Sequence, residues 1–399
     1  MTDRQRRTAF SYLFTVYLLC SLSETLVSPL FPVLRDDLDL VAAQQATLLA
    51  VVAGGVAVFN VVGGALATSR PDRSLVRAGA GMLSVGLIVS GLAGSYVVLL
   101  TGQALVGAAF GIFYPSGLAS VARLYDATRG RAIANYGLAY SLGLALAAAA
   151  GNVGERGWRY VFVATGAMAL GLVPFAPRWV EAEPAAGTHS LLSQLRTYAH
   201  HRDYRYSGLA TFAGLVIHYV VIGFAPVLFV DRGVHLGLVT GLLAAGRLGS
   251  VPGKILGGAL FDRYGGLWTV RLLMLLAVAL GVPMLLLPAG AGVWLLAPFV
   301  AVSASVFPIA NALLVSALPP RSAWGIGTFR SVMLGASAIL SALVGLLLAH
   351  IPLPAVMVAA LVVPLMAAGA SDAGVRSDRR TASMARGVAA DGATYPFSN

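Results

Sequence analysis

The chain has 399 residues, of which 58% are hydrophobic and only 11% are charged, with a mean hydropathy of +0.82. So little charge cannot cover the water-facing surface of a soluble protein of this size, and we therefore expect lipid as the main solvent. The net charge of +11 is spread over short segments between apolar runs, which argues against a nucleic-acid-binding surface. Cys20 is the only cysteine, which excludes an intramolecular disulfide and a thiolate metal cluster.

Twelve apolar runs are long enough to cross a bilayer, which requires about 20 mostly apolar residues. We number these runs as spans one to twelve and expect each to form one transmembrane helix. Most connections between them are only a few residues long, as is typical of adjacent antiparallel helices. The predicted spans are 9–34, 41–68, 75–94, 97–122, 132–153, 159–177, 207–230, 236–261, 269–289, 292–317, 325–349 and 352–370.

One connection, between spans six and seven, is long and charged, and its stretch 191–198 predicts an interfacial amphipathic helix. The residues after 370 are rich in Ala, Gly, Ser, Arg and Asp and have no apolar period, which predicts disorder. The predicted organisation is an N-terminal six-helix bundle over 1–177, a cytoplasmic connector over 178–206, a C-terminal six-helix bundle over 207–370 and a disordered cytoplasmic tail over 371–399.

The arginines indicate the orientation of the spans, because cytoplasmic loops carry an excess of basic residues. With a cytoplasmic N-terminus, 21 arginines lie inside, and Arg247 lies within a span. We therefore expect a multi-pass protein of the plasma (cytoplasmic) membrane with both termini in the cytoplasm and a retained N-terminal segment. Only four arginines lie outside in this orientation: Arg35, Arg156, Arg159 and Arg232.

The tetrapeptide Gly-Gly-Ala-Leu occurs twice, at residues 63–66 and 257–260, which are 194 positions apart (257 minus 63). Each copy ends an apolar run and precedes a loop that contains arginine. A repeat at about half the chain length predicts two copies of one six-span unit. It also pairs each residue of the first half with a counterpart in the second half.

The second copy continues as Phe-Asp-Arg-Tyr-Gly-Gly over residues 261–266, which resembles the loop signature of the major facilitator superfamily. Residues 113–132 resemble the family's fourth span and the loop after it, and residues 157–162 resemble the entry to its sixth span. The resemblance covers roughly residues 8 to 370. It implies an all-α integral membrane protein with twelve transmembrane helices in two pseudo-two-fold-related six-helix bundles, which moves a solute by alternating access. The implied loop motif, with a cytoplasmic charge network and a tight turn, consists of Gly257, Gly258, Asp262, Arg263 and Gly265.

The chain departs from the family pattern in three places. In the first copy of the loop, Thr68 stands where the family has an acidic residue. Only the second copy is therefore left to form the cytoplasmic charge network. Thr101 and Gly102 stand where span four usually has an arginine. Span five lacks the proline of the antiporter pattern at residues 141–144, which counts mildly against a drug/proton antiporter.

A shift of 194 positions pairs Glu24 in span one with His218 in span seven. In a two-fold-related transporter these two spans border the central path, and the substrate site lies near the membrane midplane. We therefore expect Glu24 and His218 to face each other as a proton-coupling pair. The same shift pairs Pro32 with Pro226 and Asn60 with Lys254.

Span eight contains two cations, Arg247 and Lys254, which lie seven residues apart on one helix face with Ser250 between them. A charge at the bilayer centre costs about 2.5–3.5 kcal/mol on insertion scales, which indicates a hydrated cavity or a partner. Two cations in one cavity favour an anionic substrate, because both side chains bind carboxylate or phosphate. Further candidate substrate-binding residues, with helix–helix hydrogen bonding as the alternative, are Tyr17, Asn60, Tyr114, Tyr140, Asn311 and Arg330.

Structural roles stay open for the charged candidates. Glu24 forms a structural ion pair with Arg247 or Lys254 in one alternative, Lys254 reaches the cytoplasmic interface in a second, and His218 is a hydrogen-bonded core histidine in a third. A carboxyl group in a poorly hydrated cavity resists ionisation, which makes Glu24 our candidate proton carrier, with His218 modulating it.

The sequence contains no phosphate-binding loop or nucleotide-binding domain, so ion gradients rather than ATP must drive transport. Proton symport of a small organic, preferably anionic, solute and proton-driven efflux of drugs or metabolites both stay open. A non-transporting sensor or scaffold on the same fold is the alternative from another class. No nucleophile with an adjacent base is visible, so we expect no enzyme. We also expect a functional monomer in the lipid bilayer, with a proton and a small molecule as partners and with no cofactor, metal or nucleic acid.

Overall fold

The computed structural model describes residues 1–67, 70–125, 129–153, 157–178, 202–317 and 323–370. All regular structure in these ranges is helical, and helices occupy all twelve predicted spans. This arrangement confirms the fold class expected from the sequence. Thr68, the connector helix predicted over 191–198 and the tail 371–399 lie outside the described residues. Asn311 is described only by its backbone, so the prediction for its side chain lies outside the described part as well.

Span one, in the N-terminal bundle, consists of two helices that meet at an angle of 45°. Pro29 explains the bend, because a proline ring clashes with the carbonyl group four residues earlier. That carbonyl belongs to Thr25, the last residue of the first helix. The helices of this bundle are Asp3–Thr25 and Val27–Leu38 in span one, followed by Ala42–Leu66, Asp72–Gly91, Tyr96–Leu124, Arg129–Ala150 and Gly157–Leu172 in spans two to six.

Span seven, in the C-terminal bundle, contains a π-helical turn, Ile217–Ile222. Its hydrogen bonds run from residue i to i+5 instead of i+4, so the turn accommodates one additional residue. Span seven is formed by Arg202–Val216, this turn and Gly223–Asp231; spans eight and nine are Leu236–Tyr264 and Gly266–Leu286; span ten is Ala289–Gly292, Val293–Leu295 and Leu296–Ala317; spans eleven and twelve are Ala323–Leu347 and Leu353–Ala360, the last continuing to Ala370.

In the described ranges, eight helices are long and apolar enough to cross a membrane, and the bent pair of span one makes nine. Spans five, six and eight fall outside this set. The described helix of span six has only 16 residues, and span eight carries Arg247 and Lys254 in its interior. The charges therefore interrupt the apolar pattern at the same place where the sequence predicts a functional site.

The bundles meet along three main pairs of spans: span two packs on span eleven, span five on span eight, and span one on span seven. Span five also lies directly on span one, because Gly143 has no side chain. A Cβ atom at Gly143 would lie 2.5 Å from the carbonyl oxygen of Leu18. This close approach brings the polar residues of span one next to those of span five.

We call the end of the bundle that carries the N-terminus the proximal end and the opposite end the distal end. Polar contacts between the two bundles are concentrated in the distal half of the described structure. Ser28 and Gln45 each donate a hydrogen bond of 2.7 Å to the carbonyl oxygen of Gly223. Nearer the distal surface, Arg35 pairs with Asp231 at 2.8 Å, and Thr240 donates to Asn152 at 3.0 Å.

Candidate functional site

Glu24 lies just before the bend in span one, where it is 3% exposed. Its Oε1 accepts a hydrogen bond of 2.7 Å from the hydroxyl group of Tyr219 in span seven. Its Oε2 has no hydrogen-bond partner among the described residues. Within the same part of the chain, no ion pair joins Glu24 to Arg247 or Lys254. The acid is therefore held at the interface between the bundles by a neutral donor, and a second neutral hydroxyl group, that of Tyr140 in span five, lies close to its carboxyl group.

His218 binds Arg247 instead of facing Glu24. Its Nδ1 lies 3.1 Å from Nη2 of Arg247. Because a guanidinium group can only donate, Nδ1 must accept, and the neutral ring carries its proton on Nε2. That Nε2 is buried without a partner among the described residues. The structure therefore joins Glu24 to Tyr219 rather than to the expected His218, and this contact spans 195 positions rather than 194.

A small cavity of about 30 Å³ lies between spans one and seven on the distal side of these residues. This volume accommodates about two water molecules, since one water needs roughly 10–15 Å³. Its polar lining comes from Thr25, Ser28, His218, Tyr219 and Arg247. The arrangement can therefore hold water beside the tyrosine that binds Glu24.

The two cations of span eight are both held by neighbouring side chains. Arg247 is 6% exposed and binds His218, and its carbonyl oxygen accepts from the Ser250 hydroxyl. Lys254 donates through Nζ to Oγ of Ser141 in span five at 2.5 Å. Lys254 therefore bridges the two bundles.

Asn60 of span two is buried, with 3% of its surface exposed. Both its amide oxygen and its amide nitrogen lack hydrogen-bond partners among the described residues. An unsatisfied buried amide is costly, so this side chain offers a donor and an acceptor to a ligand or to water.

Six rings from spans one, four and five form an aromatic cluster around Tyr17. Tyr17 stacks on Tyr136 with ring centroids 4.5 Å apart and on Tyr140 at 5.9 Å. Tyr114 lies 5.7 Å from Tyr17, and the guanidinium carbon of Arg330 in span eleven lies 4.0 Å from the centre of the Tyr114 ring. This cation–π contact also joins the two bundles. The aromatic cluster consists of Tyr17, Phe110, Phe113, Tyr114, Tyr136 and Tyr140.

The sequence matches the family model of the Major Facilitator Superfamily over residues 13–323. The chain belongs to this superfamily. It is therefore a multi-pass membrane transporter for a small-molecule solute, and the proteins that it resembles are transporters rather than enzymes.

One relative of this superfamily member is a 3-(3-hydroxy-phenyl)propionate transporter of Escherichia coli (strain K12). The two proteins are 25% identical over 209 residues, which are 51% of this chain and 52% of that transporter. The match therefore spans about half the length of the relative.

Solved structures of other transporters share the fold. A bacterial homolog of the human lysosomal transporter Spinster, in an inward-facing and occupied conformation, has a TM-score of 0.73 at 16% identity, covering 94% of this chain and 98% of that one. A D-xylose–proton symporter has a TM-score of 0.70 at 17% identity, covering 91% of this chain and 96% of that one.

The superfamily loop motif lies at the proximal end, between spans eight and nine. Gly265 has a φ of 86°, a conformation that glycine adopts without strain, and it connects the two helices directly. Gly257 packs on Ile309 of span ten, whereas a Cβ at Gly258 would meet nothing. Asp262 and Arg263 are both exposed. Asp262 forms no ion pair in the described structure, and Arg263 lies over the Tyr264 ring at 5.3 Å.

Two residues that the sequence did not single out carry important contacts. Tyr219 adjoins His218, and a shift of 195 instead of 194 would have found it. Asp72 is buried and forms an ion pair with Arg123 at the proximal end of spans three and four. It lies four positions after Thr68, so an acid displaced along the first loop was the available signal.

Proposed function

We propose that this transporter couples the movement of protons to that of a small organic anion, with Glu24 as the proton carrier. The observation that carries the proposal is the contact of Glu24 with Tyr219 across the bundle interface. A charged acceptor forms a stronger hydrogen bond than a neutral one, so protonation of Glu24 weakens a contact between the bundles. The unengaged Oε2 is the atom available to the proton.

Charge balance supports binding of the proton together with an anion. Arg330 and Arg247 both act electrostatically on the Glu24 carboxyl group. A proton and a monovalent anion together leave the net charge of this region unchanged, whereas either one alone leaves a buried charge uncompensated. We therefore favour symport over proton-driven efflux, which is the second possibility for the same residues.

Two similar transporters agree with this proposal. The relative from Escherichia coli transports a carboxylate, and one transporter with the same fold is a proton symporter. We assign His218 to holding Arg247, and Arg247 and Lys254 to charge balance or substrate contact. The remaining proposed lining of the substrate path is Tyr17, Asn60, Tyr114, Tyr140, Asn311 and Arg330.

We also propose a location in the plasma membrane with both termini in the cytoplasm, on the basis of the arginine distribution. The distal end is then extracellular, and its contacts between the bundles hold the outside closed, as in an inward-facing state. The bundles 1–177 and 207–370 rock against each other about the central site. The connector 178–206 joins them, the transporter works as a monomer, and it needs no cofactor.

Flux into proteoliposomes with an imposed pH gradient tests the proposal. The solutes are labelled 3-(3-hydroxyphenyl)propionate, an aliphatic carboxylate and D-xylose as a neutral comparison. We expect wild-type protein to accumulate a carboxylate with the gradient. We expect Glu24→Gln to exchange labelled for unlabelled solute but to lose accumulation, because an amide cannot carry the proton.

The matched control is Asp39→Asn, an acid-to-amide change at an exposed position whose φ of 52° also suits asparagine. This variant should accumulate solute like the wild type. Equal accumulation by Glu24→Gln and the wild type would contradict the role of Glu24. No flux of any solute would favour a sensor or scaffold.

A further inference from the structure

Three candidate substrate-binding cations, Arg247, Lys254 and Arg330, differ in what they bind. Arg247 is engaged by His218 and Lys254 by Ser141. The guanidinium group of Arg330 forms no hydrogen bond or ion pair with any described residue and lies against the face of Tyr114. An arginine has five N–H donors, and Arg330 is half-buried. Its donors are therefore the ones available to a ligand.

The aromatic cluster beside Arg330 has partly exposed rings that pack on buried ones. Tyr114 and Tyr140 are half-buried, whereas the four other rings of the aromatic cluster are buried behind them. The buried hydroxyl group of Tyr136 has no hydrogen-bond partner among the described residues. Phenylalanine would pack equally well at such a position, so packing alone does not account for this hydroxyl group.

A ligand that uses both the donors of Arg330 and the open ring surface of Tyr114 and Tyr140 must carry a planar anionic group and a ring. The planar fork of arginine matches a carboxylate in a bidentate geometry. Aromatic rings pack favourably on other rings in offset or edge-to-face arrangements. A short linker lets both contacts form together, because the guanidinium group already touches the edge of the aromatic cluster.

We infer that the substrate is an aromatic carboxylate, whose carboxylate binds Arg330 and whose ring packs on Tyr114 and Tyr140. This inference rests on the proposed function, in that the ligand is the transported anion. It assigns substrate recognition to Arg330 rather than to the two cations of span eight. The charged Glu24 carboxylate would repel the substrate carboxylate near Arg330, and protonation of Glu24 removes this repulsion.

Binding to purified protein, measured by isothermal titration calorimetry in detergent at a pH at which Glu24 is protonated, tests the inference without a gradient. The probes are 3-phenylpropionate, 3-cyclohexylpropionate and 3-phenylpropan-1-ol, which separate the contributions of ring and carboxylate. We expect 3-phenylpropionate to bind most tightly and the other two to bind several-fold more weakly. Equal binding of the cyclohexyl and phenyl acids, or no binding of any probe, would overturn the inference.

The variants locate the site. Arg330→Gln should weaken the binding of 3-phenylpropionate about 10- to 100-fold, since it removes a charge-assisted pair, and Arg330→Lys should weaken it less. Tyr114→Leu should weaken it about two- to tenfold through the lost ring contact. The matched controls are Arg70→Gln and Tyr160→Leu, both at exposed positions away from the aromatic cluster, and these should bind normally.

Two outcomes separate this inference from the proposed function. If folded Arg330→Gln or Arg330→Lys bound the ligand undiminished while Arg247→Gln lost binding, the carboxylate would bind Arg247 rather than Arg330. This result would overturn the inference. Tight, Arg330-dependent binding of 3-phenylpropionate in a protein that shows no proton-driven accumulation would leave the aromatic site intact and would reject proton coupling. Size-exclusion profiles and melting temperatures establish that each variant is folded.

Discussion

Spans one and seven are counterparts in the two bundles, and they break their helices in different ways. Span one has Pro29 and bends by 45° one turn before it. The same position in span seven, 194 residues later, is Gly223, and the chain forms a π turn directly before it. The bend places Glu24 at the end of a helix, whereas the π turn contains both His218 and Tyr219, of which Tyr219 binds Glu24.

The difference shows how two copies of one unit acquire separate roles without losing their common fold. Three contacts join the spans at nearly constant separations in sequence: Glu24 with Tyr219, Ser28 with Gly223, and Arg35 with Asp231. The spans therefore run side by side along their length, with each contact offset by one or two residues from the pairing by 194 positions. This offset decides that Tyr219 rather than His218 meets the acid.

The largest effect should come from removing the hydroxyl group of Tyr219. Tyr219→Phe deletes a hydrogen bond to a carboxylate, which is worth about 1.5–3 kcal/mol and hence about a tenfold or larger loss of gradient-driven accumulation. His218→Asn keeps an acceptor for Arg247 and should lose less. Proteoliposome flux at a fixed pH gradient ranks the two variants, and a greater loss in His218→Asn would show that the pairing by 194 positions is the functional one.

A smaller effect should follow from removing both donors to the Gly223 carbonyl oxygen. The double variant Ser28→Ala, Gln45→Leu leaves this buried oxygen without its cross-bundle partners, which costs about 1–3 kcal/mol. Thermal unfolding in detergent should show a lowered melting temperature. Thr47→Ala, on the exposed side of span two, is the control and should melt like the wild type. An unchanged melting temperature in the double variant would mean that these donors do not hold the bundles together.

The smallest effect should come from the ion pair at the distal ends of the two spans. The side chains of Arg35 and Asp231 are 30% and 48% exposed. Such pairs contribute about 0.2–1 kcal/mol and are screened by salt. A double-mutant cycle with Arg35→Gln and Asp231→Asn, measured by unfolding at low and high salt, should give a coupling free energy in this range that shrinks with salt. A larger coupling free energy that does not depend on salt would indicate a buried ion pair instead.

The apolar runs predicted the helices well, because a bilayer demands long uninterrupted stretches and leaves few alternatives. All twelve runs became helices, including span eight with its two interior cations. The structure also brings together charges that the sequence placed in different spans, since Glu24, Arg247 and Arg330 interact electrostatically.

The pairing of residues was less predictable than their location. A shift read from spans two and eight cannot reveal the offset of one or two residues between spans one and seven, because that offset depends on how the two helices pack rather than on composition. Asn60, the counterpart of Lys254 by this shift, likewise makes no contact with it, since Lys254 donates its hydrogen bond to Ser141 in span five. The ion pair of Asp72 with Arg123 was missed because the first loop displaced its acid by four positions.

The contacts between spans one and seven bear on how a two-bundle protein can evolve from a dimer of six-span units. In a symmetric homodimer of six-span units, residues on the two-fold axis contact their own copies. Any contact that Glu24 makes across the axis would then be repeated by the same residues on the other side of it. Fusion of the units into one chain removes this constraint, because each side of the axis can mutate alone. An acid and a phenol can then meet at one place without a second copy of the pair at the symmetry-related place.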